Sequence, residues 1–455
     1  MIKLLSRFRI SHKLLVSSLA FSLPIALLLY FVIDGFNTNI DFTNKEIIGD
    51  RLLKPVQHII TLVPEHKRLI SLKALGDDVN NELSLIEKKI DSALIEMTYL
   101  ADLYQYDLKI TETELKEHNL SHISPKNISK QWNNLLNNIK VLPEREVKIQ
   151  YDAYIDTLTA LIRHIGDASN LILDPDLDSY YLMDISMLVM PVQQKRLSEV
   201  LYQGIKIKTR ELNSTDIKFL ENFIEIIEKE NLSRISRGVS VSVTKDQDYF
   251  GTSKILQMQI PELFEDYKKS LIYFTNIIRQ VAKDSTYSNY REFLSAGQDA
   301  LECGDKFWFG INSALENLLE NRKNEYTYRR SFALIVSLSA LLIAAALVFI
   351  TTIGITKPLN MVTQIAVEIA NGNIDNAISR FNEQKQRMLS FLKTEEKGKQ
   401  IINDEIVLLY RAISSMTINL DQLLLQISKS ARVVTNSVVQ RSEEHTSELQ
   451  SPNTI

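Results

Sequence analysis

Two long uncharged apolar segments constrain this chain more than any other feature of its sequence. They cover residues 14–33 and 331–355, with 20 and 25 residues, and neither contains Asp, Glu, Lys or Arg. At a rise of about 1.5 Å per residue, a helix of either length crosses the roughly 30 Å hydrocarbon core of a bilayer. We therefore predict transmembrane helix 1 over 14–33 and transmembrane helix 2 over 331–355.

The residues before the first apolar segment predict the orientation of the chain. Residues 1–13 carry four basic side chains and no acidic one. The positive-inside rule places this tail in the cytoplasm, so the C-terminal part returns there and residues 35–330 lie outside. A cleaved signal peptide is the alternative for 14–33. The apolar run is longer than usual for one, and no small-residue cleavage site follows before Asp34.

Composition excludes several classes of protein. The 52 basic and 56 acidic residues give a net charge of −4, which removes the electrostatic support for nucleic-acid binding. A single cysteine, Cys303, excludes an intrachain disulfide, a multi-cysteine zinc site and an iron–sulfur cluster. Since no nucleotide-binding glycine loop or hydrolase motif is present, we expect no enzyme, no cofactor and no metal site.

Residues 35–330 show the hydrophobic periodicity of helices. Only 13 Gly and 10 Pro occur in the whole chain, which favours long helices. Apolar residues recur at steps of three and four, which is typical of bundled amphipathic helices. Two such series are Leu83, Ile86, Ile90, Leu94, Met97, Leu100 and Leu103, and Tyr151, Ile155, Leu158, Ile162, Ile165, Ser169 and Ile172, in which Ser169 is the one polar member. We predict an all-α bundle here, although residues 233–243 alternate and are read as a short strand or a surface loop.

Residues 170–184 (NLILDPDLDSYYLMD) form the most distinctive stretch of the outer region. We expect Asp174 to cap a helix that has Pro175 at its first position. Asp184 then falls on the apolar face of that helix, where a carboxylate needs a cation, a hydrogen-bond network or a polar ligand. Tyr180, Tyr181 and Asp184 are therefore the predicted ligand-binding residues.

A second set of heptad repeats follows the second apolar segment. One seam runs through Ile355 and Ile369 and stops at Asn371-Gly372-Asn373, and another runs from Ile402 to Val434. Apolar seams of this period require partner helices. We predict a parallel homodimer, with packing inside one chain as the alternative.

The order of these segments resembles that of bacterial methyl-accepting chemotaxis proteins, which are transmembrane chemoreceptors with a HAMP linker. The resemblance is carried by Ile-Thr-Lys-Pro-Leu at 355–359, Ile-Ala-Asn-Gly-Asn at 369–373 and Asp-Glu-Ile at 404–406. It assigns signal relay to Pro358, Gly372, Asp404 and Glu405. It also implies a parallel coiled-coil linker over 356–420 with an insertion at 376–400, and the start of a signalling coiled coil at 421–440.

The resemblance further implies a function in the bacterial inner membrane. A periplasmic sensor domain at 35–330 would bind a small molecule or a periplasmic binding protein. The linker would then control a cytoplasmic chemotaxis kinase through an adaptor. The alternative is the sensor region of a membrane histidine kinase or a cyclic-dinucleotide cyclase.

Residues 441–455 stand apart from the rest of the sequence. The stretch RSEEHTSELQSP at 441–452 resembles the translation of a sequencing adapter. We expect this tail to be non-native and the signalling domain to be missing after Gln440.

Overall fold

The chain is helical throughout the part that the structure describes. A computed structural model describes residues 10–205, 212–283, 290–380 and 405–448, and these ranges contain helices and turns without a β-strand. The prediction of an all-α fold is confirmed. Residues 31–333 form one compact unit, and the described residues on either side of it form another.

Two long helices are shared by the two units. Helix α1 spans Ile10–Ala74 and helix α11 spans Tyr290–Ala370. The helices between them in the chain are α2 (Asn80–Leu103), α3 (Glu112–Glu117), α4 (Pro125–Asn138), α5 (Glu144–Ala168), α6 (Leu177–Met183), α7 (Met190–Gly204), α8 (Ser214–Glu225), α9 (Leu232–Lys245) and α10 (Ile260–Lys283). Helix α12 (Glu405–Glu448) follows α11.

Three π-helical segments interrupt the helices of the larger unit. Asp184–Val189 joins α6 to α7, Ile226–Asn231 joins α8 to α9, and Ile255–Gln259 leads into α10. A π-helical turn widens the helix and often marks a functional site. The first of these segments begins at Asp184, which is one of the predicted ligand-binding residues.

Most residues of the two predicted helical seams lie in the core of the larger unit, whereas Leu103, at the end of the first seam, is exposed. Leu83, Ile90 and Met97 of α2 are buried, as are Tyr151 and Leu158 of α5. They belong to one continuous apolar core that also holds the fully buried indoles of Trp132 and Trp308. Both indoles have hydrogen-bond partners, since Trp132 donates to Asp91 and Trp308 donates to Ser186.

The reading of residues 233–243 as a strand or a loop is wrong, because these residues lie within helix α9. Ile235, Gly238, Val239 and Ser242 are its buried positions. Their spacing of three, four and seven residues defines one face of a helix. The alternation of Ser and Val in this stretch fits the spacing of a helix face, and it also fits the two-residue period of a strand. The sequence pattern alone therefore could not distinguish a helix from a strand.

The two apolar segments lie in helices that are long and apolar enough to cross a membrane. Windows of 18 residues in α1 and α11 reach mean hydropathies of 2.2 and 2.8, and none of the window residues is buried inside the protein. Leu23, Leu28, Ile343 and Leu347 are examples of their exposed apolar side chains. Such surfaces are unfavourable in water and favourable in lipid.

The predicted stop at 371–373 is confirmed. Helix α11 ends at Ala370, and Gly372 has a φ of +80°, a left-handed conformation that favours glycine. The Gly372 N–H donates to the Ile369 carbonyl at 3.0 Å, and the Asn373 N–H donates to the Glu368 carbonyl at 3.0 Å. These bonds satisfy carbonyl groups at the helix end.

The chain after this stop packs back on α11. Ala377 is buried against Ile365, and Met361, Ile369 and Ile413 surround this pair. Because Ile413 belongs to α12, the end of α11 and the beginning of α12 share a small apolar core. Of the predicted insertion at 376–400, residues 381–400 lie outside the described residues.

Close packing around Gly49 of α1 leads to a first prediction. A Cβ added there would lie 2.5 Å from the Cβ of Ser169 and closer still to its hydroxyl, whereas a Cβ added at Gly35 of the same helix would meet nothing within 4 Å. We expect Gly49→Ala to lower the free energy of unfolding by about 1–3 kcal/mol. Gly35→Ala is the control, and it should leave stability unchanged or raise it by up to about 1 kcal/mol. Denaturant unfolding of the purified chain measures both, and equal effects of the two variants would contradict the packing at Gly49.

Candidate functional site

A buried arginine surrounded by carboxylates joins three parts of the larger unit. Arg322 of α11 lies 2.9 Å from Glu46 of α1, and 2.7 Å from both Asp174 and Asp176 in the loop before α6. The side chains of Arg322, Glu46, Asp174 and Asp176 are 3, 0, 0 and 14% exposed. We call Arg322 and these three acids the Arg322 cluster.

The loop before α6 has local hydrogen bonds that orient its acids. Asp174 Oδ1 accepts the backbone N–H of Asp176 at 3.0 Å and the Ser179 hydroxyl at 2.9 Å. Helix α6 begins at Leu177, so Asp176 occupies the N-cap position, and its side chain makes no capping hydrogen bond. The expectation that Asp174 caps a helix starting at Pro175 is therefore wrong. Asp174 instead closes a turn and accepts hydrogen bonds from Arg322 and Ser179.

Burial shifts the pKa values of the acids in this region. It raises the pKa of Glu46 to about 8, with the nearby Asp174 acting in the same direction and Arg322 in the opposite one. It also raises the pKa of Asp176, and raises that of the adjacent Asp178 to about 7. Burial alone would lower the pKa of Arg322, but the surrounding carboxylates raise it overall, so the guanidinium stays protonated.

Charged residues continue along the contact between α1 and α11. Arg51 Nε donates to Glu316 at 3.1 Å, its Nη2 donates to Glu320 at 3.1 Å, and Lys54 also binds Glu316. Asp50 is fully buried beside them, and neither of its carboxylate oxygens has a hydrogen-bond partner. Burial raises the pKa of Asp50 to about 7.

A neutral polar network lies one to two turns further along the same two helices. Gln57 of α1 accepts a hydrogen bond from Asn312 of α11, and Asn312 in turn accepts one from Ser186. The Trp308 indole N–H donates to Ser186 at 3.3 Å. All four residues are buried, so this network fixes the register of α1 against α11 within the core.

The predicted ligand-binding residues lie in α6 and at the first position of the π-helical segment that follows it. Asp184 is buried and receives two hydrogen bonds from Arg234 of α9, from Nε at 2.9 Å and from Nη2 at 2.5 Å. The Tyr180 and Tyr181 rings meet edge to face with centroids 5.4 Å apart. Of the three predicted kinds of partner for Asp184, the structure shows a cation, Arg234, whose side chain is 53% exposed.

Three of the predicted relay residues lie in the described part of the chain. Pro358 lies within α11, Gly372 forms the left-handed turn after it, and Glu405 is the first residue of α12. Asp404 lies outside the described residues. In chain order, the described residues here are α11, the Gly372 turn, a helical stretch at 374–380 and α12, and the HAMP-like linker stays a prediction.

Cavities surround a second buried cation, Lys67 of α1. Lys67 Nζ lies 3.0 Å from Asp152, 3.3 Å from Glu199 and 4.4 Å from the centre of the Tyr202 ring. Cavities of about 140 and 610 Å³ are both lined by Lys67 and Lys148. Since Lys148 also contacts Asp152 and Glu199, both cations are already neutralised by acids of the protein.

His66, the residue before Lys67, is also buried in this region. Its Nδ1 lies 2.6 Å from the Tyr151 hydroxyl, and its Nε2 lies 3.2 Å from Glu87. Burial lowers the pKa of His66, with Glu87 opposing the shift. The imidazole is therefore neutral near pH 7, and its contact with Glu87 is a hydrogen bond.

The sequence contains a signal for the Arg322 cluster that our sequence analysis missed. Glu46, Asp50 and Gln57 follow one another on α1 at steps of four and seven, the spacing of a single helix face. Leu53 and Ile60, which share this face, are buried. Polar residues in an apolar seam must find partners in the core, and this rule identifies the face although it cannot name Arg322.

Comparisons with known proteins do not identify a function for this chain. No family model, no curated protein and no solved structure matches the chain.

Proposed function

We propose that this chain is the sensing part of a transmembrane receptor, with residues 35–330 outside the cytoplasm of a bacterial cell and both ends inside. One observation carries the proposal. Helices α1 and α11 both run from an apolar segment into the helical unit, where Glu46 and Arg322 connect them. A change in how the two helices pack would act on helices that are continuous with the apolar segments.

The residues after the second apolar segment support an output through a HAMP-like linker. The Gly372 turn and the shared core of Ile365, Ala377 and Ile413 resemble a helix–connector–helix layer. Helix α12 leaves Met416, Leu423 and Ile427 of its heptad seam exposed in the single chain. A second copy would cover this seam, so we propose a parallel homodimer.

The stimulus in this proposal is a small molecule or a periplasmic binding protein that acts on the larger unit. Tyr180, Tyr181 and Asp184 are the proposed contact residues. Arg234 has half of its side chain exposed beside Asp184, so a ligand with a carboxylate or another acceptor would bind the exposed part of the guanidinium while Asp184 holds the arginine in position. To transmit a signal, the ligand must bind two packings of the helices with different affinities.

The proposed output is a chemotaxis kinase that is reached through an adaptor. The alternative is the sensor region of a membrane histidine kinase or of a cyclic-dinucleotide cyclase, which would use the same spans and linker. If the tail at 441–455 is non-native, as we propose, the native gene sequence after codon 440 distinguishes these outputs. A helical hairpin rich in Glu and Gln supports the chemoreceptor, and a catalytic domain supports the alternative.

A hybrid receptor tests the proposal. Residues 1–440 are joined in heptad register to the signalling hairpin of a known chemoreceptor, and kinase activity is measured in membranes during a screen of small metabolites. We expect at least one compound to change kinase activity, and Asp184→Ala to weaken that response about tenfold or more.

The control variant is Asp167→Ala, which removes an exposed acid of α5. It should respond like the parent hybrid. A hybrid that activates the kinase but responds to nothing would contradict the receptor proposal. An equal response of the two variants would remove Asp184 from the ligand site while leaving the receptor proposal intact.

A further inference from the structure

The Arg322 cluster contains more negative than positive charge, and its four side chains are only 0 to 14% exposed. Glu46 Oε2, Asp174 Oδ1 and Asp176 Oδ2 all lie within 2.9 Å of the one guanidinium. If all three acids were ionised, the cluster would carry a net charge of about −2. Burying uncompensated charge is far more costly than burying a neutral acid, so the cluster has a strong tendency to bind a proton.

Unsatisfied oxygen atoms in the cluster point to the same conclusion. Glu46 Oε1 and Asp174 Oδ2 are buried and accept no hydrogen bond. Asp176 Oδ2 lies 2.7 Å from Arg322 Nε, but the N–H is not aligned for a hydrogen bond. Donors at both oxygens stabilise the ionised form of a buried carboxylate, and Glu46 has a donor at only one of its oxygens.

We propose that the Arg322 cluster binds a proton near neutral pH and that this proton tightens the contact between α1 and α11. The site would make the helical unit sensitive to the pH of the compartment around it. The inference depends only on the buried cluster, so it stands whether or not the chain is a receptor.

Ionisable and charged groups face the Arg322 cluster from each element that packs around it. Glu46 faces Asp174, Asp176 and Arg322. Asp178 lies against the same three charged groups of the loop and α11. Tyr326 of α11 also lies beside the cluster, together with Arg329, and burial raises the pKa of Tyr326, so it stays neutral in this range. One turn along α1, the unpartnered Asp50 faces Arg51, Lys54 and Glu316.

The direction of the effect follows from the pKa of Glu46. Its folded value of about 8 lies above the usual value for a glutamic acid, so the folded state holds the proton more tightly than the unfolded state. The stability that this proton contributes is fully present at acidic pH and is lost as the pH rises through about 8. Asp50 and Asp178, each with a pKa of about 7, act in the same direction.

Thermal unfolding of the full chain in lipid nanodiscs tests the proposal, with the fluorescence of Trp132 and Trp308 as the signal. We expect the wild-type Tm to fall by about 5 °C or more between about pH 6 and about pH 9. Glu46→Gln is a neutral mimic of the protonated acid. It should have the higher Tm at about pH 9, and its Tm should depend on pH about half as steeply or less.

The matched control is Asp41→Asn, which changes an exposed acid on the same helix. It should keep the wild-type pH dependence. Infrared spectroscopy of the wild type provides a second readout that does not depend on the folding of any variant. A carbonyl band of a protonated carboxyl group should disappear as the pH is raised through about 8.

Two results would overturn the proposal. One is a wild-type spectrum without a protonated carboxyl band that titrates between about pH 6 and about pH 9. The other is a Glu46→Gln variant whose Tm varies with pH as steeply as that of the wild type.

Discussion

Replacing Arg322 with alanine is expected to lower the free energy of unfolding by about 3–5 kcal/mol, the largest effect we predict for one substitution in the helical unit. The reason is the charge that remains. Without the guanidinium, Glu46, Asp174 and Asp176 keep their buried positions and lose their shared cation. The loss should be larger near pH 9 than near pH 5, because protonation neutralises the remaining acids at the lower pH.

Arg329→Ala is the matched control for this prediction. Arg329 lies two turns further along α11 and pairs with Glu325 at 2.7 Å, but its side chain is about half exposed. Exposed pairs contribute little, so this variant should cost at most about 1 kcal/mol. Denaturant unfolding at the two pH values compares the variants. Equal losses for Arg322→Ala and Arg329→Ala would show that the Arg322 cluster does not hold α1 and α11 together.

The helices could be predicted because their evidence is local. In α2 and α5, buried residues recur every three or four positions, so the period alone identifies the helix and its inner face. The stop at Gly372 was also predictable, because a left-handed residue after a helix favours glycine. The pattern failed at 233–243, where a Ser–Val alternation satisfies the periods of both a strand and a helix.

The charged site could not be predicted, because its members are distant in sequence. Glu46 and Arg322 are separated by 276 residues, and the loop acids lie between them. Composition and spacing show that Asp174, Asp176 and Asp184 are unusual, but they do not show which cation each acid meets. Asp174 was therefore interpreted as a helix cap, although it binds Arg322. For Asp184 a cation was one of three predicted kinds of partner, and the sequence did not identify Arg234 as that cation.

The second prediction with a large effect concerns the apolar segment of α11. Ile343 and Leu347 lie near its middle, and both are exposed in the protein. Arginine at the centre of a membrane span costs about 2.5–3.5 kcal/mol, so Ile343→Arg with Leu347→Arg costs roughly 5–7 kcal/mol. We expect this double variant to prevent insertion of the second span. A reporter fused after Gln440 should then move from the cytoplasm of the wild type to the periplasm of the variant, as measured by alkaline phosphatase activity.

The double variant Leu423→Arg and Ile427→Arg in α12 is the control for the double variant in α11. It shows whether two arginines on any exposed apolar helix surface have the same effect. These residues have the same spacing of four as Ile343 and Leu347, and they are similarly exposed apolar side chains on a long helix. If α12 lies in the cytoplasm, the two arginines face water or a partner helix, and the reporter stays inside. A cytoplasmic reporter in the α11 double variant would show that residues 331–355 do not cross the membrane. The helices α1 and α11 would then lose their role as the connection between an outer sensor and an inner linker.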